Sequence, residues 1–353
     1  MSQEEGGRVS VIIPARNEEA NIERVVRSVA SQAGVKEILV VDDQSEDRTP
    51  EILGKLGREF ARLRVLRTET LPEGWVGKSY ALAQAAREAS GEWLLFTDAD
   101  TEHLPGSLEA LAARARRERA DLLSISPGQQ TATWWEKAVI PLVYATLAGL
   151  FRFEEVSDPA SSAAAANGQY LLVRREIYER AGGHAAVRGT ILEDVELARR
   201  IKQAGGRLVF LPGADWVRTR MYRTFGEMWR GWTKNLYLLY EGRLARMLAR
   251  VAALLVLGVI PTALFCGFSV ALAAGRGGAG VIAATVVSFA LALLRQWQYA
   301  RALSRLGFDA RLAGYQPAGA ALLSLLLLNS AIAHRWRGSV EWKGRAYRTR
   351  VNR

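Results

Sequence analysis

The sequence predicts an α/β fold: a mostly parallel sheet with helices on both faces, followed by apolar helices at the C-terminal end. Three observations carry this. Short apolar runs, each bounded by glycine, proline or acids, alternate with segments of helical periodicity from residue 9 to residue 211. Two of those runs stop at aspartates, Asp42-Asp43 and Asp98-Ala99-Asp100. Beyond residue 250 the pattern gives way to three long apolar stretches with arginines at their edges.

The elements follow in order. Residues 9–14 are a strand ended by Pro14, and residues 17–34 a helix with Ile22, Val25, Val26 and Val29 at helical spacing and Gly34 as its stop. Residues 37–41 are a second buried strand, 49–60 a helix, 63–66 a short strand and 78–90 an alanine-rich helix. Residues 92–96 are the strand that ends in the acidic turn; 105–119 form a helix and 121–126 another strand. The apolar segment headed by Trp134-Trp135 and running to residue 153 reads either as a helix in a membrane interface or as an ordinary buried helix. The small-residue run 160–166 is a loop, 170–173 a strand, 174–182 a helix, 191–204 a helix opening with Leu192-Glu193-Asp194, 208–211 a strand and 225–240 a helix.

The apolar stretches 251–274, 279–294 and 317–333 predict two or three transmembrane or re-entrant segments, so the chain divides into an α/β domain, 1–240, and a membrane domain, 241–353. Arg243, Arg246 and Arg250 precede the first stretch, and Arg295, Arg301, Arg305 and Arg311 separate the second from the third, which puts that side in the cytoplasm by the positive-inside rule. Net charge is +11, and from Arg295 to Arg353 eleven Lys and Arg face two acids, Asp309 and Glu341. A basic tail interleaved with apolar runs points to a bilayer surface and not to nucleic acid. The lone Cys266 allows no internal disulfide, and the polar residues 1–8 hold no apolar core for a signal peptide.

The acids carry the chemistry. In open α/β sheets ligands bind beyond the carboxyl ends of the strands. Two carboxylates on one short turn, Asp98 and Asp100, can share a hard divalent cation whose other positions go to water and phosphate oxygens. Asp42 and Asp43, at the end of another strand of the same sheet, suit a ribose hydroxyl or a base N–H. Lys78 follows Gly74-Trp75-Val76-Gly77 at a helix start, a place that suits phosphate. Glu193-Asp194 opens a helix, where an acid can serve as a cap or as a general base.

Taken together, Val11-Ile12-Ile13-Pro14-Ala15-Arg16-Asn17-Glu18, Val41-Asp42-Asp43-Gln44-Ser45-Glu46-Asp47, Gly77-Lys78, Thr97-Asp98-Ala99-Asp100 and Glu193-Asp194 resemble the inverting glycosyltransferases of family 2, over roughly residues 9–240. Pro72-Glu73-Gly74-Trp75-Val76-Gly77-Lys78, Asn167-Gly168-Gln169, Gly182-Gly183-His184 and Arg220-Met221-Tyr222 with Trp229-Arg230-Gly231-Trp232 resemble, more finely, bacterial membrane glycosyltransferases of carotenoid acids or hopanoid pathways. The resemblance implies a GT-A (Rossmann-like) fold in which Pro14, Arg16, Glu18, Asp42, Asp43, Lys78, Asp98, Arg230 and Trp232 line the nucleotide-sugar site. It implies Mg²⁺ or Mn²⁺ on Asp98 and Asp100, and Asp194, beside Glu193, as the general base. Processive relatives carry Gln-x-x-Arg-Trp; the corresponding stretch here, Glu227-Met228-Trp229-Arg230-Gly231-Trp232, lacks the Gln and the Trp directly after Arg, which favours a single transfer. Trp342-Lys343-Gly344-Arg345-Ala346-Tyr347 resembles the Trp-x-Gly-Arg-x-Tyr tail of membrane-bound relatives, or is simply a basic lipid anchor.

The expectation is therefore a multi-pass protein of the cell (inner) membrane whose catalytic domain faces the cytoplasm. Its partners are a nucleotide-sugar donor, expected to be a UDP-hexose, and a lipid acceptor such as a carotenoid or hopanoid. Two rival readings stand beside it. A polyprenyl-phosphate sugar transferase would have an anionic acceptor that needs no base. A non-catalytic membrane protein would keep the nucleotide fold only for binding.

Overall fold

The computed structural model describes residues 8–348; the acidic N-terminal residues and the last residues of the basic tail lie outside them. By internal packing the chain forms two compact units. One takes the residues up to Gln130 together with Leu150–Met221, the other Thr131–Gly149 and the residues from Tyr222 onward. The second unit thus includes two segments, 131–149 and 222–240, that precede the boundary drawn from hydropathy alone.

The first unit is built on eight strands: β1 (Val9–Ala15), β2 (Val35–Asp42), β3 (Leu63–Arg67), β4 (Trp93–Phe96), β5 (Thr101–His103), β6 (Leu122–Gln129), β7 (Leu171–Arg174) and β8 (Leu208–Thr219). Their order in the sheet is β3-β2-β1-β4-β7-β6-β8-β5. The pairings β1–β2, β1–β4, β2–β3 and β6–β8 are parallel. β7 runs antiparallel to both β4 and β6, and β5 antiparallel to β8. The reversal of β7 brings two turns together. Leu171, its first residue, pairs with Phe96, the last residue of β4, so the turn before β7 lies beside the acidic turn. Strand β5 and the part of β8 beyond the expected residue 211 do not show as apolar runs, because they carry Thr, Glu, His, Arg and Asp among their residues.

The central strands are buried on both faces, as parallel strands covered by helices are. Val11, Ile13, Ile38, Val40 and Leu95 join one core with Ile22, Val25, Leu53, Leu108 and Leu111 from helices Ile22–Ala30, Thr49–Glu59 and Ser107–Arg117. Ile12, Leu39, Val41, Leu94 and Phe96 join the other with Ala81, Ala85, Ile177, Leu197 and Ile201 from helices Gly77–Glu88, Arg175–Arg180 and Glu193–Gln203. The first helix begins at Ile22 and not at residue 17, because Asn17 takes a left-handed conformation (φ 53°) in the loop after β1.

Away from the acidic strand ends the sheet is fastened by a buried carboxylate. Glu37 Oε1 accepts from the Ser10 hydroxyl, the Ser90 hydroxyl and the Ser90 N–H, each at 2.7 Å, and Gly91 N–H donates to Ser10 Oγ at 2.8 Å. Burial pushes the Glu37 pKa up, but the hydrogen bonds from Ser90 and Ser10 outweigh it and hold the group below its ordinary range.

In the second unit, Trp134–Leu150 is one continuous helix with Pro141 inside it, and Trp135, Val139, Ile140, Leu142 and Val143 on it are buried. Three helices, Leu244–Ala273, Ala279–Arg305 and Ala310–Arg337, are long and apolar enough to cross a membrane. They run past the expected stretches 251–274, 279–294 and 317–333 because the helical backbone continues through arginines such as Arg246, Arg250, Arg295, Arg301 and Arg335, at which a hydropathy reading stops. The first two are 11% buried over their apolar windows and the third 56%, so the third is packed inside the unit. Small residues permit that packing: a Cβ on Gly319 would overlap the Ala138 carbonyl, and one on Gly258 would meet Ala320 Cβ at 2.7 Å. Ser330 Oγ donates to the Thr233 carbonyl and accepts from Tyr237 N–H, and Asn329 Nδ2 donates to Thr233 Oγ1. The tail forms a hairpin of β9 (Ser339–Trp342) and β10 (Arg345–Arg348), turned by Lys343 and Gly344, both at positive φ.

Gly91 tests the packing of the sheet. A Cβ there would lie 2.6 Å from Ser10 N and 2.8 Å from the Arg8 carbonyl, both backbone atoms that cannot yield. Gly91→Ala is expected to cost about 1–3 kcal/mol, as overpacking does. It should appear as a lower unfolding midpoint of the detergent-purified protein; an unchanged midpoint contradicts so close a contact.

Candidate active site

The acidic turn is held from behind by hydroxyl groups. Thr97, the residue after β4, donates from Oγ1 to the Gln169 carbonyl at 2.8 Å, and Thr101 donates from Oγ1 to the Asp98 carbonyl at 2.8 Å. Each hydroxyl has one proton, and both are used on carbonyls, which can only accept. Thr97 Oγ1 lies 3.0 Å from His103 Nε2 and therefore accepts from it, which fixes the proton of His103 on Nε2. Burial pushes the His103 pKa down to about 4, so the ring is neutral. His103 thus faces the fold and not a metal. Through Thr97 it ties the turn carrying Asp98 and Asp100 to the turn carrying Asn167, Gly168 and Gln169.

Lys78 stands in the first turn of helix Gly77–Glu88, which is anchored where Val76 N–H donates to the Arg188 carbonyl at 2.7 Å. Its Nζ lies 2.7 Å from Asp98 Oδ1 and 2.9 Å from Glu193 Oε1. Desolvation works against this ammonium, yet the charges of Asp98, Glu193 and Asp194 hold its pKa well above the ordinary lysine value. Asp194, in the first turn of helix Glu193–Gln203, accepts from Gly168 N–H at 2.8 Å through Oδ2 and from Val195 N–H at 2.8 Å through Oδ1. Desolvation, followed by the neighbouring Glu193 charge, pushes its pKa up to about 6, against the pull of Lys78. Gly168 is enclosed by these groups: a Cβ on it would lie 2.8 Å from Lys78 Nζ and 3.5 Å from Asp194 Oδ2. Lys78, Asp98, Glu193 and Asp194, from three separate elements, thus share one cleft.

A second group of candidates gathers at the ends of β1 and β2, where Pro14 and Ala15 pair with Val41 and Asp42. Asp42 and Asp43 are buried. Asp42 Oδ1 accepts from Ser45 N–H at 2.9 Å, and Asp43 Oδ1 accepts from the Thr68 hydroxyl at 2.7 Å. Arg16 donates from Nη1 to the Asp43 and Gln44 carbonyls at 2.7 and 3.1 Å, and Glu18 N–H donates to Thr49 Oγ1 at 2.8 Å. These residues therefore shape the loop itself. Arg230 and Trp232 belong to the second unit, on helix Phe225–Leu239; Trp232 is buried edge-on to Tyr144 and Tyr222.

His184 is fixed by Tyr178, whose hydroxyl accepts from His184 N–H at 3.1 Å and lies 3.0 Å from Nδ1. Desolvation, followed by the Lys78 charge, pushes the ring pKa down to about 3. Gly168 was visible in the sequence only as the middle of Asn167-Gly168-Gln169, and nothing in a linear reading joined it to Asp194, 26 residues on.

Among the described residues no three His, Cys, Asp or Glu side chains converge as a complete metal cage. The donor set fits a different kind of site. Asp98 and Asp100 offer hard carboxylate oxygens on one turn, too few for a cage but enough that a cation there would have positions left for phosphate oxygens and water.

Residues 10–182 match the profile described as Glycosyl transferase family 2. A 4,4'-diaponeurosporenoate glycosyltransferase of Staphylococcus haemolyticus (strain JCSC1435) is 31% identical over 231 residues, 65% of this chain and 60% of that protein. One of the same name from Staphylococcus aureus (strain USA300) is 28% identical over 233 residues, with the same shares. The chain thus spans about 60% of the length of these curated relatives. Among solved structures, the mannosyltransferase PcManGT from Pyrobaculum calidifontis, in complex with GDP-Man and Mn²⁺, aligns with a TM-score of 0.53 at 21% identity, over 94% of this chain and 87% of that one. That likeness is one of fold, the GT-A arrangement expected from the motifs. The similarity to glycosyl transferase family 2 thus covers residues 10–182, just under half of the chain.

Proposed function

We propose that the protein is a membrane-anchored inverting glycosyltransferase that moves a sugar from a nucleotide donor, a UDP-hexose, to the hydroxyl or carboxylate of a lipid, in the class of carotenoid acids or hopanoids. The observation that carries this reading is the shared cleft of Lys78, Asp98, Glu193 and Asp194. The family match and the diaponeurosporenoate glycosyltransferase relatives support the activity and the acceptor class. The three long apolar helices support a lipid acceptor, because a substrate that stays in the bilayer needs an enzyme seated there.

In this reading Asp98 and Asp100 hold Mg²⁺ or Mn²⁺, which when bound offsets charge on the departing nucleoside diphosphate. The loop shaped by Asp42, Asp43 and Arg16 receives the nucleoside. Where the acceptor is a hydroxyl, Asp194 accepts its proton as the oxygen attacks the anomeric carbon in line; a carboxylate acceptor arrives ionised and attacks without a base. Gly168 N–H and Val195 N–H leave that carboxylate ionised yet oriented, and the raised pKa makes it a better base than a solvated aspartate. One base and one displacement give inversion. The catalytic domain faces the cytoplasm, where nucleotide sugars are, as the arginines flanking the apolar helices suggest by the positive-inside rule.

Membranes containing the protein, incubated with labelled UDP-hexoses, should yield a labelled lipid whose mass adds one hexose to a carotenoid acid or hopanoid, and EDTA should stop its formation. Label on a polyprenyl phosphate overturns the acceptor assignment.

With a hydroxyl acceptor, Asp194→Asn should lower turnover by about 10²–10⁴, the usual worth of a general base, while donor binding stays near wild type. In the wild type, kcat/KM should rise with pH through about 6 as Asp194 loses its proton. Substantial turnover of a hydroxyl acceptor by Asp194→Asn, or a rate with that acceptor flat across that range, removes Asp194 as the base.

A further inference from the structure

Lys78 occupies a position that its assignment to phosphate does not explain. Its side chain is half-buried, and Nζ lies 2.7 Å from Asp98 Oδ1, on the turn read as the metal site, and 2.9 Å from Glu193 Oε1, beside the base. The surroundings are built to this ammonium. Gly168 comes so close that any side chain there would strike Nζ, and the start of the lysine's helix is tied to the Arg188 carbonyl, a few residues before Glu193. A divalent cation on Asp98 and an ammonium on the same carboxylate repel each other across a short distance in a partly desolvated cleft. The two therefore compete for Asp98 unless added negative charge, such as that of a diphosphate, accompanies the metal.

We propose that Lys78 is a built-in counter-cation of the acidic turn. It screens Asp98 against bare divalent metal, and it gives up that contact in favour of Glu193 and the incoming phosphates when a nucleoside diphosphate arrives. Lys78 is on this account a positioning residue that makes metal binding depend on the donor and links the donor end of the cleft to the base end. The inference rests on the assignment of Asp98 and Asp100 as the metal-holding pair.

Binding of Mn²⁺ to the full-length, detergent-purified protein can be followed by the loss of the free-ion electron paramagnetic resonance signal, with Mn²⁺ alone and with Mn²⁺ plus UDP. The wild type should bind Mn²⁺ alone weakly and about tenfold or more tightly with UDP present. Lys78→Met should bind Mn²⁺ alone about tenfold more tightly than the wild type and lose most of the dependence on UDP, as expected when a half-buried like charge is removed from beside the site. Lys78→Gln should repeat the effect should the methionine variant fold poorly, and Lys78→Arg, which keeps the charge, should bind as the wild type does. Neutral variants that bind Mn²⁺ alone no more tightly than the wild type, while UDP-dependent binding persists, overturn the role of Lys78 and leave the metal site standing. Absence of Mn²⁺ binding in every form, with UDP or without, overturns the metal assignment as well.

Discussion

One ammonium among three carboxylates sets the terms for this cleft. Separately, Asp98, Glu193 and Asp194 would repel one another and resist desolvation, and Lys78 in the same place would resist it too. Together they offset each other's charge, and the arrangement keeps Lys78 protonated while leaving Asp194 with its pKa raised to about 6. The geometry that permits this is backbone geometry: a glycine without a side chain at 168, a helix start at Gly77 and a helix start at Glu193.

The sheet delivers those pieces through one reversed strand. Because β7 is antiparallel to β4, the residues that precede it stand next to the residues just after β4, and Thr97 can bond the Gln169 carbonyl directly. A strand in the other direction would have sent Asn167, Gly168 and Gln169 to the opposite end of the strands. His103 completes the tie as a neutral donor. The two turns that carry the proposed metal pair and the partner of the proposed base are thus parts of one hydrogen-bonded piece.

Much of the α/β unit was legible in the sequence. Strands buried on both faces read as unbroken apolar runs, and acids at their carboxyl ends mark a site in any open sheet. What stayed hidden depends on contacts distant along the chain. Strand direction at β7 leaves no trace in its own four residues, β5 reads as a polar loop, and Gly168 and Asp194 are brought together only by folding. In the second unit the apolar helices were seen but drawn short, because arginines within them look like boundaries to a hydropathy reading. Their packing on small residues such as Gly258 and Gly319 has no signature without a partner in view.

The convergence of the acids around a donor is the claim on which the rest stands, and anomalous diffraction tests it most directly. Crystals of the protein grown with Mn²⁺ and a UDP-hexose should show the manganese peak within coordination distance of Asp98 or Asp100, with the anomeric carbon facing Asp194 across the cleft. A manganese peak remote from both aspartates, or a sugar bound with its anomeric carbon turned away from Asp194, would contradict the account.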